Sequence, residues 1–153
     1  MIERCTGDLL AADTEGLVNA VNCVGVMGKG LALAFKTAFP ENFRIYKAAC
    51  SAGNVAPGKL LVVETGLSRN PHFIINFPTK RHWRAPSRLE DIRAGLEALP
   101  RELRSRQIRS VAVPALGCGL GGLAWPEVEP LIREAFLPLP EIRVLLFSPS
   151  DRP

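Results

Sequence analysis

The 153-residue sequence lacks a long apolar run, a Cys-x-x-Cys pair and an internal repeat. A membrane-spanning helix needs about 18 or more apolar residues, and structural zinc sites use closely spaced cysteine pairs. The first residues also lack the basic and apolar regions of a signal peptide. We therefore expect a cytoplasmic protein with no membrane partner, and we expect its four cysteines to be reduced.

Histidine is also scarce, because His72 and His82 are the only two in the chain. Neither has metal-ligand companions in the sequence, so we expect no metal and no other cofactor. Hydrophobic residues make up 47% of the chain and charged residues 22%, which is typical of a globular protein. We expect one monomeric domain over residues 1–148 and a loose tail at 149–153. The net charge of +4 permits a polyanionic partner.

Apolar runs and helical patterns alternate along the chain. Helical spacing or helix-start signals occur at 31–39, 41–51, from 87 onward and from Pro126. Ser87 and Glu90 match a capping box, and Pro100 is expected to kink or split the helix that follows. Short runs predict strands at 2–6, 17–20, 60–64, 73–77, 108–114 and 142–147. The alternation indicates a layered α/β domain with a largely parallel sheet.

Two glycine-rich segments each lead from a predicted strand into a predicted helix. The first covers residues 19–30 and the second residues 114–122. Glycine allows the backbone to approach a ligand closely, and the N–H groups of such a loop can bind an anion. Two of these loops in one domain favour a diphosphate held from both sides. The alternative is that both are tight turns required only by the topology.

Two familiar nucleotide-binding motifs fit poorly. Gly25 and Gly30 have the glycine spacing of a Walker A motif, but Leu31 stands where its lysine belongs. Gly117, Gly119 and Gly122 match G-x-G-x-x-G, but the next strand ends in Ser148 rather than an acid. The sequence therefore argues against a Walker A NTPase, and it gives only weak support to a dinucleotide fold.

Three polar residues near the first loop have both a binding and a structural interpretation. Asp8 follows the first strand and could accept a purine amine, although a turn-capping aspartate is the more common use at this spacing. Asn19 and Asn22 suit ribose hydroxyls, or they cap the backbone of the turn. Cys118 has no neighbouring base in the sequence, which argues against a nucleophilic role.

Gly-Asp-Leu at 7–9, Val-Asn-Ala-Val-Asn at 18–22 and the two loops together resemble the macrodomain family over nearly the whole chain. The resemblance implies a three-layer α/β/α fold around a six-stranded mixed, largely parallel sheet. It also implies that ADP-ribose binds in a cleft between the loops. Asp8 would hold adenine, and the diphosphate would lie on Gly117, Cys118, Gly119, Leu120 and Gly121. The distal ribose would contact Asn22, Gly28, Lys29 and Gly30, with further contacts from Leu9, Asn19, Leu31 and Thr79.

The first loop and the segment Asn-Phe-Pro-Thr-Lys at 76–80 resemble one branch of the family more closely. This branch contains glycohydrolases that act on terminal ADP-ribose of proteins and antitoxins that act on ADP-ribosylated DNA. The resemblance implies that Lys80 is the catalytic residue. An amine can attack the anomeric carbon of ribose or its opened aldehyde. The protein-directed members pair the lysine with an acid, where this chain has Gly121. By its position after a predicted strand alone, Lys80 is more typical of a solvated lysine, and it is the resemblance that favours catalysis.

Arg81, His82, Trp83 and Arg84 directly follow Lys80 and combine basic charge with an aromatic ring. Such a segment suits phosphate contacts and base stacking, so we expect it to contact DNA. A solvated basic turn is an equally good interpretation. The leading hypothesis is an antitoxin glycohydrolase that removes ADP-ribose from bases, thymidine above all, in single-stranded DNA, with a cognate ADP-ribosyltransferase toxin as partner. The alternatives are a non-catalytic ADP-ribose reader and a glycohydrolase of modified protein carboxylates.

Overall fold

The computed structural model, which describes residues 1–149, contains one six-stranded sheet in the order β1-β6-β5-β2-β4-β3. β3 pairs antiparallel with β4, and every other neighbouring pair is parallel. The expected mixed, largely parallel sheet is therefore confirmed. The strands are β1 (Ile2–Cys5), β2 (Gly16–Val21), β3 (Leu61–Glu64), β4 (Phe73–Pro78), β5 (Ser110–Val113) and β6 (Arg143–Phe147).

Helices cover both faces of the sheet. In the described part of the chain these are α1 (Gly30–Ala38), α2 (Pro40–Ser51), α3 (Leu89–Ser105) and α4 (Trp125–Phe136), and a short 3₁₀ turn spans Leu9–Ala11. Apolar residues of α3 and α4 form one buried cluster with side chains from one face of the sheet. Phe35 of α1 and Tyr46 of α2 belong to two clusters on the other face. The fold is thus the expected three-layer α/β/α sandwich.

The strands are apolar because both faces of the sheet are covered. In β5, Val111 and Val113 belong to the cluster beneath α3 and α4, whereas Ala112 lies in the cluster that contains Phe35. All three of these β5 side chains have no exposed surface. A parallel sheet buried on both faces requires this continuous apolar sequence rather than alternation.

One expectation about α3 is wrong. The residue before its first turn is Arg88, which makes no capping side-chain hydrogen bond, so Ser87 and Glu90 do not form a capping box. The backbone N–H of Ser87 instead donates to the carbonyl of Gly121 at 3.0 Å, and α3 starts one residue later than expected. α3 is continuous over 17 residues with Pro100 inside it, so the helix is not split, and the alternative that Pro100 kinks it stays a prediction.

The expected boundary between domain and tail is described only as far as Pro149. Residues 150–153 lie outside the described range, so the tail at 149–153 stays a prediction. No helix within residues 1–149 is both long and apolar enough to cross a membrane.

Gly95 marks the closest approach of α3 to the sheet. A Cβ atom at this position would lie 2.5 Å from Cε1 and 2.8 Å from Cε2 of Phe77. Phe77 is fully buried in β4, so its ring has no free space into which it can turn. Glycine is required here by packing, although it is a poor helix former.

We expect Gly95→Ala to lower the free energy of unfolding by about 1–3 kcal/mol, because overpacking a core costs more than the gain in helix propensity. Chemical denaturation measures this change. Gly119→Ala is the matched control, since a Cβ there meets no atom within 4 Å and the loss should stay below about 0.5 kcal/mol. A stabilised Gly95→Ala variant would contradict the packing argument.

Candidate functional site

Three chain segments leave the sheet at one edge. β4, β2 and β5 are neighbours and run parallel, so their carboxyl ends lie side by side. β2 leads into the first loop (residues 22–30), β4 leads into Lys80, and β5 leads into the second loop (residues 114–122). Ligands of α/β sheets bind at this edge. The topology therefore brings the predicted loops and the predicted catalytic lysine to one place.

Asn22 shapes the first loop. Its Oδ1 accepts the N–H groups of Val24 at 3.0 Å and Val26 at 3.4 Å, and its Nδ2 donates to the Val26 carbonyl at 2.8 Å. The buried Tyr46 hydroxyl lies 2.8 Å from Oδ1 and 2.7 Å from the Asn22 carbonyl oxygen. These hydrogen bonds are the ones expected if Asn22 caps the backbone of the turn. A ribose contact by Asn22 stays a prediction.

Asn19 lies beneath this loop and has no exposed surface. Its Nδ2 is 3.4 Å from Oδ1 of Asn76 and 3.9 Å from Sδ of Met27. Asn76 in turn exchanges hydrogen bonds with Asn42 of α2, at 2.8 and 3.2 Å. The three amides tie β2 and β4 to α2. Asn19 therefore has a packing role here, and its expected contact with ADP-ribose stays a prediction.

The first loop ends at an uncapped helix N-terminus. Gly30 has a φ of +58°, a conformation that favours glycine, and Lys29 provides no side-chain cap for α1. Within residues 1–149, the N–H groups of Gly30, Leu31 and Ala32 have no protein acceptor. Free N–H groups at a helix start attract an anion.

The second loop also presents free N–H groups. Gly117 and Gly122, with φ values of +75° and +81°, form its turns, and the N–H of Leu123 donates to the Gly117 carbonyl at 2.9 Å. The N–H groups of Gly119, Leu120 and Gly121 donate to no acceptor in the described part of the chain. Consecutive free N–H groups of this kind make an anion-binding concavity.

The two loops face each other. A Cβ atom placed on Gly30 would lie 4.0 Å from Cδ1 of Leu120, which is 69% exposed. The free N–H groups of α1 and of the second loop therefore flank a common space. This arrangement favours a diphosphate between the loops over two turns required only by the topology.

Lys80 is held against the start of the first loop by its backbone. The Val21 carbonyl accepts the N–H of Thr79 at 2.8 Å and that of Lys80 at 3.4 Å. The Cys23 thiol donates to the Lys80 carbonyl at 3.4 Å. The Lys80 side chain is half-buried, and its amine forms no ion pair with residues 1–149. The amine is thus available to a ligand.

The cysteines of the site are protonated thiols at neutral pH. Burial raises the pKa of Cys23 and of Cys118 to about 11 each. A thiol in this state is a weak nucleophile. This result agrees with the argument against Cys118 as a nucleophile. The Cys118 N–H donates to the Ala115 carbonyl at 3.0 Å, and the contact with ADP-ribose expected of Cys118 stays a prediction.

The second loop has no room for a side chain at Gly121. A Cβ there would overlap Oγ of Ser87 and would lie 2.5 Å from the Gly117 carbonyl oxygen and 2.8 Å from Cβ of Ser87. Ser87 is 6% exposed, and its Oγ has no hydrogen-bond partner among the described residues. The local geometry therefore excludes an acid at this position.

Asp8 lies on the surface after β1. Its Oδ1 accepts the N–H of Leu10 at 3.0 Å and caps the 3₁₀ turn, while Leu9 is buried. This contact is the one expected if Asp8 caps a turn. The adenine contact of Asp8, and the contact expected of Leu9, stay predictions.

The segment after Lys80 is exposed but internally organised. His82 Nδ1 accepts the N–H of Arg84 at 3.1 Å, and the rings of His82 and Trp83 lie 5.3 Å apart. The Arg84 guanidinium lies 4.5 Å from the Trp83 ring centroid, and Trp83 is 46% exposed. Arg81 differs, because it is bound to Asp91. The DNA contacts expected of all four residues stay predictions.

Sequence reasoning missed two members of the site, Ser87 and Asp91. Both are buried polar residues beside the start of α3, and neither belongs to a glycine motif. The only sequence signal is their polarity at the start of an amphipathic helix, with Ser87 just before it and Asp91 in its first turn. No group of three or more His, Cys, Asp or Glu residues that could hold a metal occurs within residues 1–149.

The fold and the two facing loops define a three-layer α/β domain with an anion-binding edge at the carboxyl ends of its central strands. The Macro domain family model matches residues 18–132. The chain belongs to this family.

Several relatives are closely similar in sequence. The DNA ADP-ribosyl glycohydrolase of Mycobacterium tuberculosis is 56% identical over 150 residues, which cover 98% of this chain and 43% of the relative. A DNA ADP-ribosyl transferase–DNA ADP-ribosyl glycohydrolase fusion protein of Thermosipho africanus is 36% identical, over 95% of this chain and 41% of the relative. The chain thus spans less than half the length of these curated relatives.

Two solved structures are also similar. The macrodomain of Mycobacterium tuberculosis DarG superposes with a TM-score of 0.97 at 56% identity, covering 98% of this chain and 99% of that one. Thermosipho africanus DarTG in complex with ADP-ribose gives a TM-score of 0.87 at 35% identity, covering 96% of this chain and 41% of that one. The first match confirms the predicted macrodomain fold.

Two glycine substitutions in the second loop should impair different properties of the protein: one the affinity for ADP-ribose and the other the stability of the fold. Gly119→Val is expected to fold, because a Cβ there meets no atom within 4 Å, but its side chain would block the free N–H groups and weaken ADP-ribose binding at least about ten-fold. Gly121→Ala is expected to lower stability by about 1–3 kcal/mol, because its Cβ would overlap Ser87.

Calorimetric titration with ADP-ribose and thermal unfolding measure the two effects separately. A ligand that binds only the folded protein must raise its melting temperature. Normal ADP-ribose binding by a folded Gly119→Val variant would mean that the second loop does not hold the diphosphate.

Proposed function

We propose that this chain is an ADP-ribosyl glycohydrolase that removes ADP-ribose from modified DNA bases. The observation that carries the proposal is the position of Lys80, whose backbone is bonded to Val21 and Cys23 at the start of the first loop. The free N–H groups of the two loops would hold the diphosphate on either side. The relatives of Mycobacterium tuberculosis and Thermosipho africanus, both named as DNA ADP-ribosyl glycohydrolases, support the same reaction.

In this proposal the distal ribose extends from the diphosphate toward the Lys80 amine. The bond between the anomeric carbon and the base breaks, and the base leaves with the bonding electrons. Water supplies hydroxide to the anomeric carbon and a proton to the base, so the products are ADP-ribose and an intact base. Lys80 would attack the anomeric carbon as the base leaves, and the oxygen of water would then replace the lysine nitrogen on that carbon, which releases ADP-ribose and the free amine.

The absence of space at Gly121 affects the proton transfers. A loop carboxylate beside Lys80 is excluded by Ser87 and the Gly117 carbonyl. Protons would therefore pass through water or through groups of the substrate itself. This difference separates the chain from a mechanism that relies on a lysine–acid pair.

The finer parts of the proposal concern the acceptor and the partner. The acceptor is thymidine in single-stranded DNA, and the exposed Trp83 and Arg84 would contact the strand beside the modified base. The domain would act as a monomer in the cytoplasm and counteract a DNA ADP-ribosyltransferase toxin. The fusion of the two activities in the Thermosipho africanus relative supports such a partner.

Incubation with ADP-ribosylated single-stranded DNA and, in parallel, with protein ADP-ribosylated on carboxylates tests the proposal. Release of ADP-ribose from the DNA is expected. Release from the protein alone would assign the chain to the protein-directed class. Binding without release from either substrate would make it a reader.

We expect Lys80→Ala to fold and bind free ADP-ribose, yet to lose turnover of ADP-ribosylated DNA by about 10²–10⁴-fold. Lys80→Arg should lose turnover as well, because a guanidinium keeps the charge but is neither nucleophile nor base near neutral pH. The rate of ADP-ribose release measures both variants. Lys36→Ala, in the last turn of α1, is the control and should retain full activity. Full activity of Lys80→Arg would mean that Lys80 contributes only its positive charge and is neither nucleophile nor base.

A further inference from the structure

Asp91 is a buried carboxylate that binds Arg81 with both oxygens. Its Oδ2 accepts Nε–H of Arg81 at 3.2 Å, and its Oδ1 accepts an Nη2–H at 3.1 Å. Asp91 is only 4% exposed, whereas about half of the Arg81 side chain is exposed. Such a paired arrangement fixes the plane of the guanidinium as well as its position. Removing Arg81 would leave a buried charge without its partner.

Asp91 is itself held in a rigid element. It lies in the first turn of α3, where the free N–H end of the helix favours a negative charge. Its backbone N–H donates to the Arg88 carbonyl at 3.0 Å. α3 is packed against the sheet through Ile92 and Leu96. Arg81 is therefore attached to the core of the domain.

The chain between β4 and α3 has no strand or helix of its own over residues 79–88. Its N-terminal end is bonded to the last residue of β2 through the Val21 carbonyl and to the first loop through the Cys23 thiol. Its far end is bonded to the second loop through the N–H of Ser87 and the Gly121 carbonyl, at 3.0 Å. Between these ends, the Arg81–Asp91 pair is the side-chain anchor adjacent to Lys80.

We propose that Arg81 and Asp91 are positioning residues that hold Lys80 in its reactive place, with Asp91 acting through Arg81. The inference rests on the proposed function, since it assigns a role in the same site. It replaces the expected DNA contact of Arg81 with an internal one. Two of the five guanidinium N–H donors, Nε–H and one Nη2–H, are directed at Asp91, and this paired contact fixes the orientation of Arg81.

The two roles of Arg81 make different kinetic predictions. If the pair positions Lys80, Asp91→Asn and Arg81→Ala should each lower kcat on ADP-ribosylated single-stranded DNA on the order of 10- to 100-fold, with KM within about two-fold. The double variant should lose no more than either single one, because both remove the same interaction. Arg81→Lys, which keeps the charge but loses the planar pair of donors that contacts both Asp91 oxygens, should recover part of kcat.

A phosphate contact would instead raise KM in Arg81→Ala, reduce its salt dependence and leave kcat of Asp91→Asn unchanged. That result would overturn the proposal. Arg106→Ala breaks an exposed ion pair with Glu102 at the other end of α3 and is the matched control, expected to keep kcat and KM. Thermal unfolding in the presence of ADP-ribose shows whether each variant is folded and binds the ligand, and so separates loss of fold from loss of turnover. If Asp91→Asn does not fold, the kinetics of Arg81→Lys test the proposal in its place.

Hydrogen exchange distinguishes this inference from the proposed function. Amides of residues 80–87 should exchange faster in Asp91→Asn than in the wild type, and those of Arg106→Ala should not change. If the wild type releases no ADP-ribose from DNA, the proposed function fails while faster exchange still supports the anchor. Unchanged exchange together with unchanged kcat in Asp91→Asn would overturn the anchor itself.

Discussion

The carbonyl of Val21 is the point on which the site depends. It closes β2, opens the first loop and accepts the N–H groups of both Thr79 and Lys80. Because β2 lies between β4 and β5, this one junction brings the segment after β4 against the loop after β2, next to the loop after β5. A shift of β4 by one residue against β2 would move Lys80 away from the cleft and turn its side chain to the other face. The buried amides of Asn19, Asn42 and Asn76 hold that register by linking β2 and β4 to α2.

The second loop combines free backbone N–H groups with a lack of space for a side chain at Gly121. Its glycines leave the N–H groups of residues 119–121 free, and the space beside Gly121 is filled by Ser87 and the Gly117 carbonyl. An anion can therefore approach the backbone, but no protein carboxylate can extend from this position toward Lys80. In the proposed function, binding and chemistry would thereby be separated: the loops would supply neutral donors for the diphosphate, and the reactive amine of Lys80 would come from the end of another strand. The burial that fixes this geometry also keeps Cys23 and Cys118 as protonated thiols.

The fold and the glycine loops could be predicted because they follow from local sequence. Apolar runs and turn residues mark the strands, and the two loops and Lys80 lie within short motifs of the family. The role of Ser87 could not be predicted, because its partner Gly121 lies far along the chain and the local S-x-x-E pattern points to a cap instead. The same limit applies to Asp91, whose pairing with Arg81 depends on how α3 docks against the sheet. Asn19 was open to two interpretations in sequence, and only the depth of β2 in the sheet shows that its amide is buried.

The central claim is that the two loops hold the diphosphate of ADP-ribose through backbone N–H groups. Amide nuclear magnetic resonance during titration with ADP-ribose measures those groups one by one. The account predicts the largest shifts at Gly119, Leu120 and Gly121 and at the first turn of α1, since their N–H groups have no acceptor among the described residues. Saturable shifts confined to other parts of the chain, with these amides unchanged, would contradict it.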